Sequence, residues 1–430
     1  MFLVFLRLGL TSFGGPIAHL GYFREAFVVR RRWLDEQAYA DLVGLCQFLP
    51  GPASSQVGFS IGLMRAGYLG ALAAWAGFTL PSAILLVLVA RGVDALNSVV
   101  GVGLLHGLKL VAVAIVAQAI WGMARSLCPD RQRASIAVVA ALIVLYRNSS
   151  LAQIGAIVLG AIGGFWFCRP ATAAATATGT AAATGTATAA GTAAATGTAT
   201  ATGTATAAAS AAATAGRSGD GHLGIPVSPR VAMVAVGAFF LLLLGLPVLQ
   251  SLMATRGLAL FDAFYRSGAL VFGGGHVVLP LLREAFVAPG WVTDDAFLAG
   301  YGAAQAVPGP LFTFAAYLGA IAHPSNVLAG AAFGLAGIFL PGMLILLGTL
   351  PFWDSLRKRA SARALMAGVN AAVVGILAAA LYNPVWTSAV KTPADFGFAL
   401  VGFVLLTVWR APPVLVVAIT ALGGVTLALW

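Results

Sequence analysis

The chain has 430 residues, of which 60% are hydrophobic and only 9% are charged. A soluble protein of this length needs more charged side chains to cover its surface. The composition therefore excludes a soluble protein and indicates an integral membrane protein in the lipid bilayer. The net charge of +11 comes from arginines in short loops without interleaved aromatic residues, which argues against nucleic acid as a partner and points to membrane orientation instead.

Two apolar segments near the start are interrupted by helix-breaking residues. The segment 3–22 breaks at Gly14-Gly15-Pro16, and the segment 38–64 breaks at Pro50-Gly51-Pro52. Such backbone is tolerated at membrane depth only where it lines a cavity or is buried in protein. We predict that each segment dips into the membrane and returns as a re-entrant helical hairpin, which keeps the neighbouring arginines on one side. These arginines are Arg30 to Arg32, Arg65 and those at 125–133.

Long apolar runs follow, and a helix needs about 20 such residues to cross a bilayer. The predicted spans in chain order are 67–90, 99–122, 134–147 with 151–168, 231–252, 327–350, 365–382, 396–409 and 413–430. The stretch 169–230 separates two groups of spans, and its part 171–216 holds only Ala, Thr, Gly and one Ser. This composition cannot bury enough surface to offset its ordering entropy, so we predict a disordered cytoplasmic linker, with an Ala-rich helix as the alternative.

Several motifs occur twice, at an offset of about 259 residues. The pairs are Phe13-Gly14-Gly15 with Phe272-Gly273-Gly274, Arg24-Glu25-Ala26-Phe27 with Arg283-Glu284-Ala285-Phe286, Gln47-x-x-Pro50-Gly51-Pro52 with Gln305-x-x-Pro308-Gly309-Pro310, and Leu80-Pro81 with Leu340-Pro341. Two copies of one unit in so apolar a chain are typical of membrane transporters. We place a first repeat at 1–168, a connecting transmembrane helix at 231–252 and a second repeat at 260–430.

The basic loops of the two repeats do not coincide. Arg30 to Arg32 follow the first hairpin, whereas the matching loop 283–295 carries one arginine and three acids. Conversely, four basic residues at 357–363 match a loop at 91–98 with a single arginine. Because basic loops mark the cytoplasmic side, matching loops lie on opposite sides of the membrane. The predicted fold is therefore an all-α polytopic membrane protein with two inverted-topology repeats, broken re-entrant helices and one extra transmembrane helix between them.

The glycine and proline breaks predict an anion-binding site. A helix that starts after a sharp turn directs about half a positive charge at that turn. Four such helix starts that meet at the pseudo-two-fold axis would bind an anion without any formal charge, while close helix packing through small residues is the alternative. The candidate residues at the breaks are Ser12, Gly14, Gly15, Gly51, Ser54, Gly273, Gly274, His276, Gly309 and Thr313.

Polar side chains inside apolar segments are further candidates for binding the substrate. Arg7 and Arg266 occupy equivalent places, and a charge at membrane depth costs about 2.5–3.5 kcal/mol on insertion scales and is usually functional. Arginine also binds tetrahedral oxyanions in a bidentate way, although it can instead snorkel to the interface. Lys109 lies in the middle of a predicted span. Gln47 and Gln305 precede the Pro-Gly-Pro breaks as neutral donors, with structural capping as the alternative.

Three acids are candidates for coupling transport to protons. Glu25 and Glu284 are matched between the repeats, and ion pairs with Arg24 and Arg283 are the alternative for them. Asp41 lies in an apolar stretch without a repeat partner. The sequence contains no G-x-x-x-x-G-K-[ST] loop, no H-E-x-x-H motif and no cysteine spacing for a metal, so we expect an ion gradient or the membrane potential to drive transport, without a cofactor or metal.

At these motifs the chain resembles the chromate ion transporter family of bacterial and fungal membrane proteins. The resemblance rests on Phe13-Gly14-Gly15-Pro16, on Gln47-Phe48-Leu49-Pro50-Gly51-Pro52 and on their copies through Pro308-Gly309-Pro310. It covers nearly the whole chain apart from 171–230 and is similar to the long, two-domain form. The departures are a missing amino-terminal leader and the low-complexity linker.

The resemblance implies a secondary transporter in the plasma (inner) membrane that moves chromate, usually outward, with sulfate as the oxyanion that chromate mimics. It leaves a homodimer open. A passive anion channel and an intramembrane enzyme acting on a lipid or phosphate ester are the alternatives. The enzyme would need clustered carboxylates or a His/Asp pair at depth, whereas the acids lie mostly in loops. Repeats with broken helices favour alternating access over a fixed pore.

Overall fold

A computed structural model of the chain describes residues 1–13, 15–92, 99–147, 150–168, 227–253, 255–272, 277–353, 355 and 359–429. These ranges are helical and contain no β-strand. The helices of the first half are α1 Phe2–Thr11, α2 Gly15–Arg24, α3 Glu36–Phe48, α4 Ala53–Gly92, α5 Val99–Leu127, α6 Arg131–Tyr146 and α7 Ser150–Phe167. The remaining helices are α8 Pro229–Leu252, α9 Arg256–Ala269, α10 Val278–Phe286, α11 Asp294–Ala306, α12 Phe314–Ala322, α13 Val327–Thr349, α14 Ala360–Ala380, α15 Pro393–Thr407 and α16 Pro413–Leu429.

Five helical stretches of the described chain are long and apolar enough to cross a membrane. They are Ala53–Gly92, Gly101–Leu127, Pro229–Leu252, Pro324–Phe352 and Ala360–Ala389. Shorter apolar helices accompany them, among them Leu151–Phe167 and Pro413–Leu429. These features confirm the predicted all-α membrane protein. The predicted connecting helix 231–252 coincides with α8, and most of the predicted linker, 169–226, lies outside the described residues.

Each half opens with two helices on either side of its glycine motif, and their re-entrant arrangement in the membrane stays a prediction. The first break separates α1 from α2, and Phe5 on α1 stacks on Phe27 beyond α2 at a ring distance of 5.1 Å. In the second half the equivalent rings, Phe264 on α9 and Phe286 on α10, lie 4.4 Å apart. Buried aromatic pairs of this kind contribute about 0.5–1.5 kcal/mol beyond their area. The matched pairs therefore hold the two arms of each hairpin together.

The helices after the hairpins start and turn in matching ways. The side chain of Asp35 caps α3 by accepting from the Ala38 amide at 2.7 Å, and Thr293 caps α11 in the same manner. The stretch Ala53–Gly92 turns back at Gly67, where φ is +62°, so α4 is itself a helical hairpin. In the second half the corresponding turn separates α12 from α13.

Matched glycines allow the opening helix of each half to pack closely on the long helix that follows. A Cβ on Gly9 of α1 would lie 2.7 Å from the carbonyl oxygen of Gly77 on α4. The equivalent Gly268 of α9 touches the Ile338 carbonyl oxygen on α13. Without a hydrophobic drive between helices in lipid, such small-residue contacts are the usual means of association. Both halves therefore repeat the same packing.

The two halves are interlocked through exchanged helices. The helix α5 of the first half packs on α16 of the second half, with Gly107 against the Thr420 carbonyl oxygen. Reciprocally, α14 packs on α7, with Gly368 against the carbonyl oxygen of Gly160. Each half thus completes its helix packing with elements of the other.

Candidate functional site

The Pro-Gly-Pro break of each half is hydrogen-bonded to the glycine motif of the other half. The Gly51 amide donates to the Val271 carbonyl oxygen at 2.7 Å, and the Gly309 amide donates to the Ser12 carbonyl oxygen at 2.9 Å. Gly51 and Gly309 have φ values of +116° and +105°, a conformation that favours glycine. The structure therefore brings the predicted candidates Ser12, Gly51 and Gly309 to one centre.

Matched residues on α4 and α13 close this centre from the side. A Cβ on Gly51 would lie 2.9 Å from the Cα of Gly342, and a Cβ on Gly309 would lie 2.7 Å from the Ser82 hydroxyl oxygen. Ser82 and Gly342 follow the matched prolines that lie within α4 and α13. The Gln56 amide donates to the carbonyl oxygens of Pro50 at 2.9 Å and Gly342 at 2.8 Å. These contacts fix the first break against α13.

Hydroxyl groups from both halves and one histidine line the centre. Ser12, Ser54 and Thr313 are buried. The Ser12 hydroxyl has no hydrogen-bond partner among the described residues, whereas the Thr313 hydroxyl donates to the Pro310 carbonyl oxygen at 2.7 Å. The ring of His19 approaches the Ser54 hydroxyl at 3.5 Å.

Sequence reasoning missed His19 and Gln56, because neither has a repeat copy that would mark it. The equivalents of His19, Ser54 and Thr79 in the second half are Val278, Phe312 and Phe339, all of them apolar. The sequence signal that could have identified them is a polar residue in one repeat with an apolar residue at the equivalent position of the other. The repeated fold does not require a polar residue at such a position. At these three positions the polar side chain is therefore present in the first half alone.

The matched glutamines differ in their surroundings. Gln305 is only 9% exposed, and its side chain lies within hydrogen-bonding reach of the Tyr301 hydroxyl group. Gln47 is exposed. The two positions are thus alike in sequence and unlike in access to solvent.

The basic candidates are placed as follows. Arg7 and Arg266 are both exposed, and Arg266 binds Asp262 one turn earlier at 2.9 Å. Lys109 is buried, and its ammonium group lies 2.6 Å from a carboxylate oxygen of Asp295 at the start of α11. Lys109 therefore ties α5 to α11, and its role towards an anion stays a prediction, as do those of the two arginines.

The matched arginines of the hairpins do not pair with the neighbouring glutamates. Arg24 binds Glu36 at 2.6 Å, and this hydrogen bond raises the pKa of the arginine. Its copy Arg283 binds Asp294 through two hydrogen bonds of 2.8 and 2.9 Å. In each half the arginine thus anchors the start of the next helix. The alternative proposed from the sequence, pairing of Arg24 with Glu25 and of Arg283 with Glu284, is wrong for these arginines.

The three coupling candidates lie in different settings. Glu25 is exposed and binds Arg30 at 2.8 Å. Asp41 is buried and accepts a hydrogen bond of 3.4 Å from Gln37. Glu284 lines a small cavity beside Arg283. The predicted site residues Gly14, Gly273, Gly274 and His276 lie outside the described residues, and Gly15 has a φ of +77° at the start of α2.

Comparison with known proteins gives the family. The model of the chromate transporter family matches residues 1–168 and again residues 258–425. The chain belongs to the chromate transporter family. This confirms the resemblance seen in the motifs, and it makes the chain a multi-pass ion transporter of the membrane. The two matched stretches also coincide closely with the two repeats proposed from the sequence.

Curated relatives agree with this assignment. A chromate transport protein of Pseudomonas aeruginosa is 27% identical over 98% of this chain and 90% of its own length. A probable chromate transport protein of Synechococcus elongatus is 24% identical over 98% of this chain and 93% of its own length. The uncharacterized transporter YwrB of Bacillus subtilis is 33% identical over 36% of this chain and 80% of its own length, about one repeat. No solved structure matches the chain.

Proposed function

We propose that this protein is a secondary active transporter that carries chromate, with sulfate as its analogue, across the plasma membrane by alternating access between two inverted repeats. Family membership and relatives named for chromate transport support the substrate class. The observation that carries the mechanism is an asymmetry between α11 and its repeat equivalent α3.

The helix α11 is closed against the long helix of the other half. A Cβ on Gly302 of α11 would lie 2.5 Å from the Leu108 carbonyl oxygen on α5. One residue further along α5, Lys109 binds Asp295 at 2.6 Å. Gln305, near the end of the same helix, is buried. The backbone contact, the ion pair and the burial of Gln305 together close access to the breaks between α11 and α5.

The equivalent helix α3 is not packed on α14, which is the repeat equivalent of α5. Between described residues, α3 makes no packing contact with α14 comparable to that of α11 with α5. Gly44, the mate of Gly302, is exposed, with only a ring atom of Trp353 at 4.0 Å from its Cβ position. Gln47 is exposed as well. We infer that the substrate path from the basic loops towards the breaks runs beside α3 in this state.

Exchange of the two arrangements gives the opposite state. If α3 packs on α14 and α11 leaves α5, the path beside α3 closes and one beside α11 opens, because equivalent helices swap roles. The central breaks are then reached from either face in turn. Asn370, the mate of Lys109, has a side-chain oxygen without a hydrogen-bond partner among the described residues. The mate of Asp295 is Gln37, so we expect an Asn370–Gln37 contact in that state.

The orientation suits export. Basic loops face the cytoplasm, so the open path beside α3 begins there, where Arg30 to Arg32 raise the local concentration of a dianion. At the breaks the anion meets hydroxyls, amides and helix starts. We propose Ser12, Gly15, Gln47, Gly51, Ser54, Gln305, Gly309 and Thr313 as its surroundings. The Ser12 hydroxyl has no partner among the described residues and is available to donate to the anion, whereas the Gly51 and Gly309 amides and the Thr313 hydroxyl already donate to carbonyl oxygens in this state.

The test is uptake of radiolabelled chromate into everted membrane vesicles that contain the full chain. We expect uptake that sulfate inhibits, and counterflow, in which unlabelled chromate inside accelerates entry of the label. Vesicles from the same cells without the protein are the non-transporting control. Uptake equal to that control would overturn the proposal. Uptake without counterflow that persists when the proton gradient is collapsed at clamped voltage would identify a channel instead.

A further inference from the structure

A small polar cavity lies beside the first hairpin of the second half. Its volume is about 10 Å³, and its polar lining comes from Gln153 on α7, Arg283 and Glu284 on α10, and Asn383 after α14. A space of this size holds about one water molecule. A tetrahedral oxyanion does not fit, so the cavity is separate from the substrate path. Its size suits a single water molecule.

Gln153 needs a hydrogen-bond donor in this cavity. The side chain is 2% exposed, and its carbonyl oxygen Oε1 has no hydrogen-bond partner among the described residues. A buried acceptor without a donor is unfavourable. Glu284 lines the same cavity and is an acceptor when ionised, but it gains an O–H donor when protonated. Protonation of Glu284 would provide such a donor in the same cavity, directly or through one water.

The charges near Glu284 are largely engaged elsewhere. Arg283, the other charged residue in the cavity lining, is held by both carboxylate oxygens of Asp294. The helices α6, α7 and α14 contribute only uncharged residues to that lining. On α9, which packs against α10, Arg266 binds Asp262, and Arg256 donates to the Ala322 carbonyl oxygen. The repeat mate Glu25 differs, since it is 49% exposed and has Arg30 as its own cation.

The first half cannot build the same cavity. At the positions equivalent to Gln153 and Asn383 the chain has Pro413 and Gly122, neither of which brings a side-chain hydrogen-bonding group. The arrangement around Glu284 is therefore not a by-product of the repeated sequence. It provides one such site per chain.

Resting on the proposed function, we propose that Glu284 is the group that binds the coupling proton, with Gln153 as the acceptor that positions it. The Glu284 carboxylate takes a proton from water on one face and holds it against Gln153. In the alternate state it releases the proton to water on the other face. The connection to the gate is short, because Arg283 binds the first residue of α11, and the next residue, Asp295, binds Lys109.

Two fluxes in everted vesicles separate this role from transport itself. The first is chromate exchange at equal concentrations on both sides, and the second is net chromate uptake driven by an acidic lumen at clamped voltage. For Glu284→Gln we expect exchange within about twofold of wild type, since the binding site is intact, and complete loss of the response to the pH gradient. Glu25→Gln is the matched control and should retain both. In Gln153→Leu the pH at which the gradient response is half-maximal should move to lower values.

The outcomes are distinguishable. Absence of chromate flux in wild type removes the proposed function. Three results would overturn the role of Glu284. The first is a full response to the pH gradient in Glu284→Gln, and the second is loss of both exchange and the gradient response in a monodisperse Glu284→Gln variant. The third is wild-type uptake that a sodium gradient drives in place of the pH gradient. If the variant does not fold, infrared difference spectra of wild type decide. We expect a band of a protonated carboxyl group that disappears as pH rises and that shifts in frequency in Gln153→Leu. Absence of this band would overturn the proposal.

Discussion

The backbone amide of Gly51 donates a hydrogen bond to the carbonyl oxygen of Val271, 2.7 Å away and in the other half of the chain. With its counterpart between Gly309 and Ser12, it joins four helix breaks into one backbone structure. The breaks are therefore not independent turns. A distortion of one break is transmitted directly to the hairpin of the opposite half.

We expect Gly51→Ala and Gly309→Ala each to reduce chromate uptake by about tenfold or more. Both positions have positive φ, where a side chain costs on the order of 1–3 kcal/mol, and the new Cβ would meet Gly342 or Ser82 within 2.9 Å. Uptake and thermal stability in detergent are the measurements. Gly21→Ala, which meets nothing within 4 Å, is the control. Normal uptake in both break variants would show that the backbone contacts are dispensable.

The ion pair of Lys109 with Asp295 should act as the latch of the closed face. Lys109→Asp and Asp295→Lys should each lower uptake about tenfold. Each variant places two like charges next to each other, and the charge at position 109 is buried. The double variant should recover most of the activity, since the pair is restored in reverse. Asp295 is 68% exposed, so we expect the variants to fold. A double variant no better than the singles would argue against a latch.

Gln47 and Gln305 should differ in chemical accessibility. A cysteine at 47 should react with a membrane-impermeant maleimide added from the cytoplasmic face, and one at 305 should not. Chromate should slow the labelling at 47. The native thiols give little background, because Cys46 is buried and burial raises the pKa of Cys128 and Cys168. Equal labelling at 47 and 305 from the same face would contradict the one-sided path.

The same reagent tests the inverted arrangement. Single cysteines in 24–33 and in 355–362 should be labelled only from the cytoplasm, because the basic residues of these loops stay on that side. Cysteines in 289–295 should be labelled only from outside. Labelling of 24–33 and 289–295 from one side would mean that the repeats are parallel.

The breaks and the repeated hairpins could be predicted because they depend on local chemistry. Gly14-Gly15-Pro16 and Pro50-Gly51-Pro52 interrupt helices wherever they occur, and their copies occur at the same spacing. The partners of charged residues could not be predicted in this way. Arg24 has Glu25 as its neighbour in sequence, yet it binds Glu36, because the turn after the hairpin brings the start of α3 back to it.

The unequal burial of matched residues could not be predicted from the sequence either. Gln47 and Gln305 have the same motif around them, and their unequal burial depends on where α3 and α11 lie relative to α14 and α5. The cavity at Glu284 needs residues from α7, α10 and the segment after α14, which are far apart in the chain. Motif matching selected Glu284 and Glu25 equally, and only the packing distinguishes them.

The exchange of α5 and α14 between the halves bears on how such a chain arises. One repeat alone would expose to lipid the glycine face of its long helix, so it would need a partner that supplies the missing terminal helices. When the halves are joined in one polypeptide, each half always packs on the other half, and the sequences of the two halves can differ. Each half is then free to lose what the other provides, so that a histidine and hydroxyls persist at positions where the sister copy carries valine and phenylalanine.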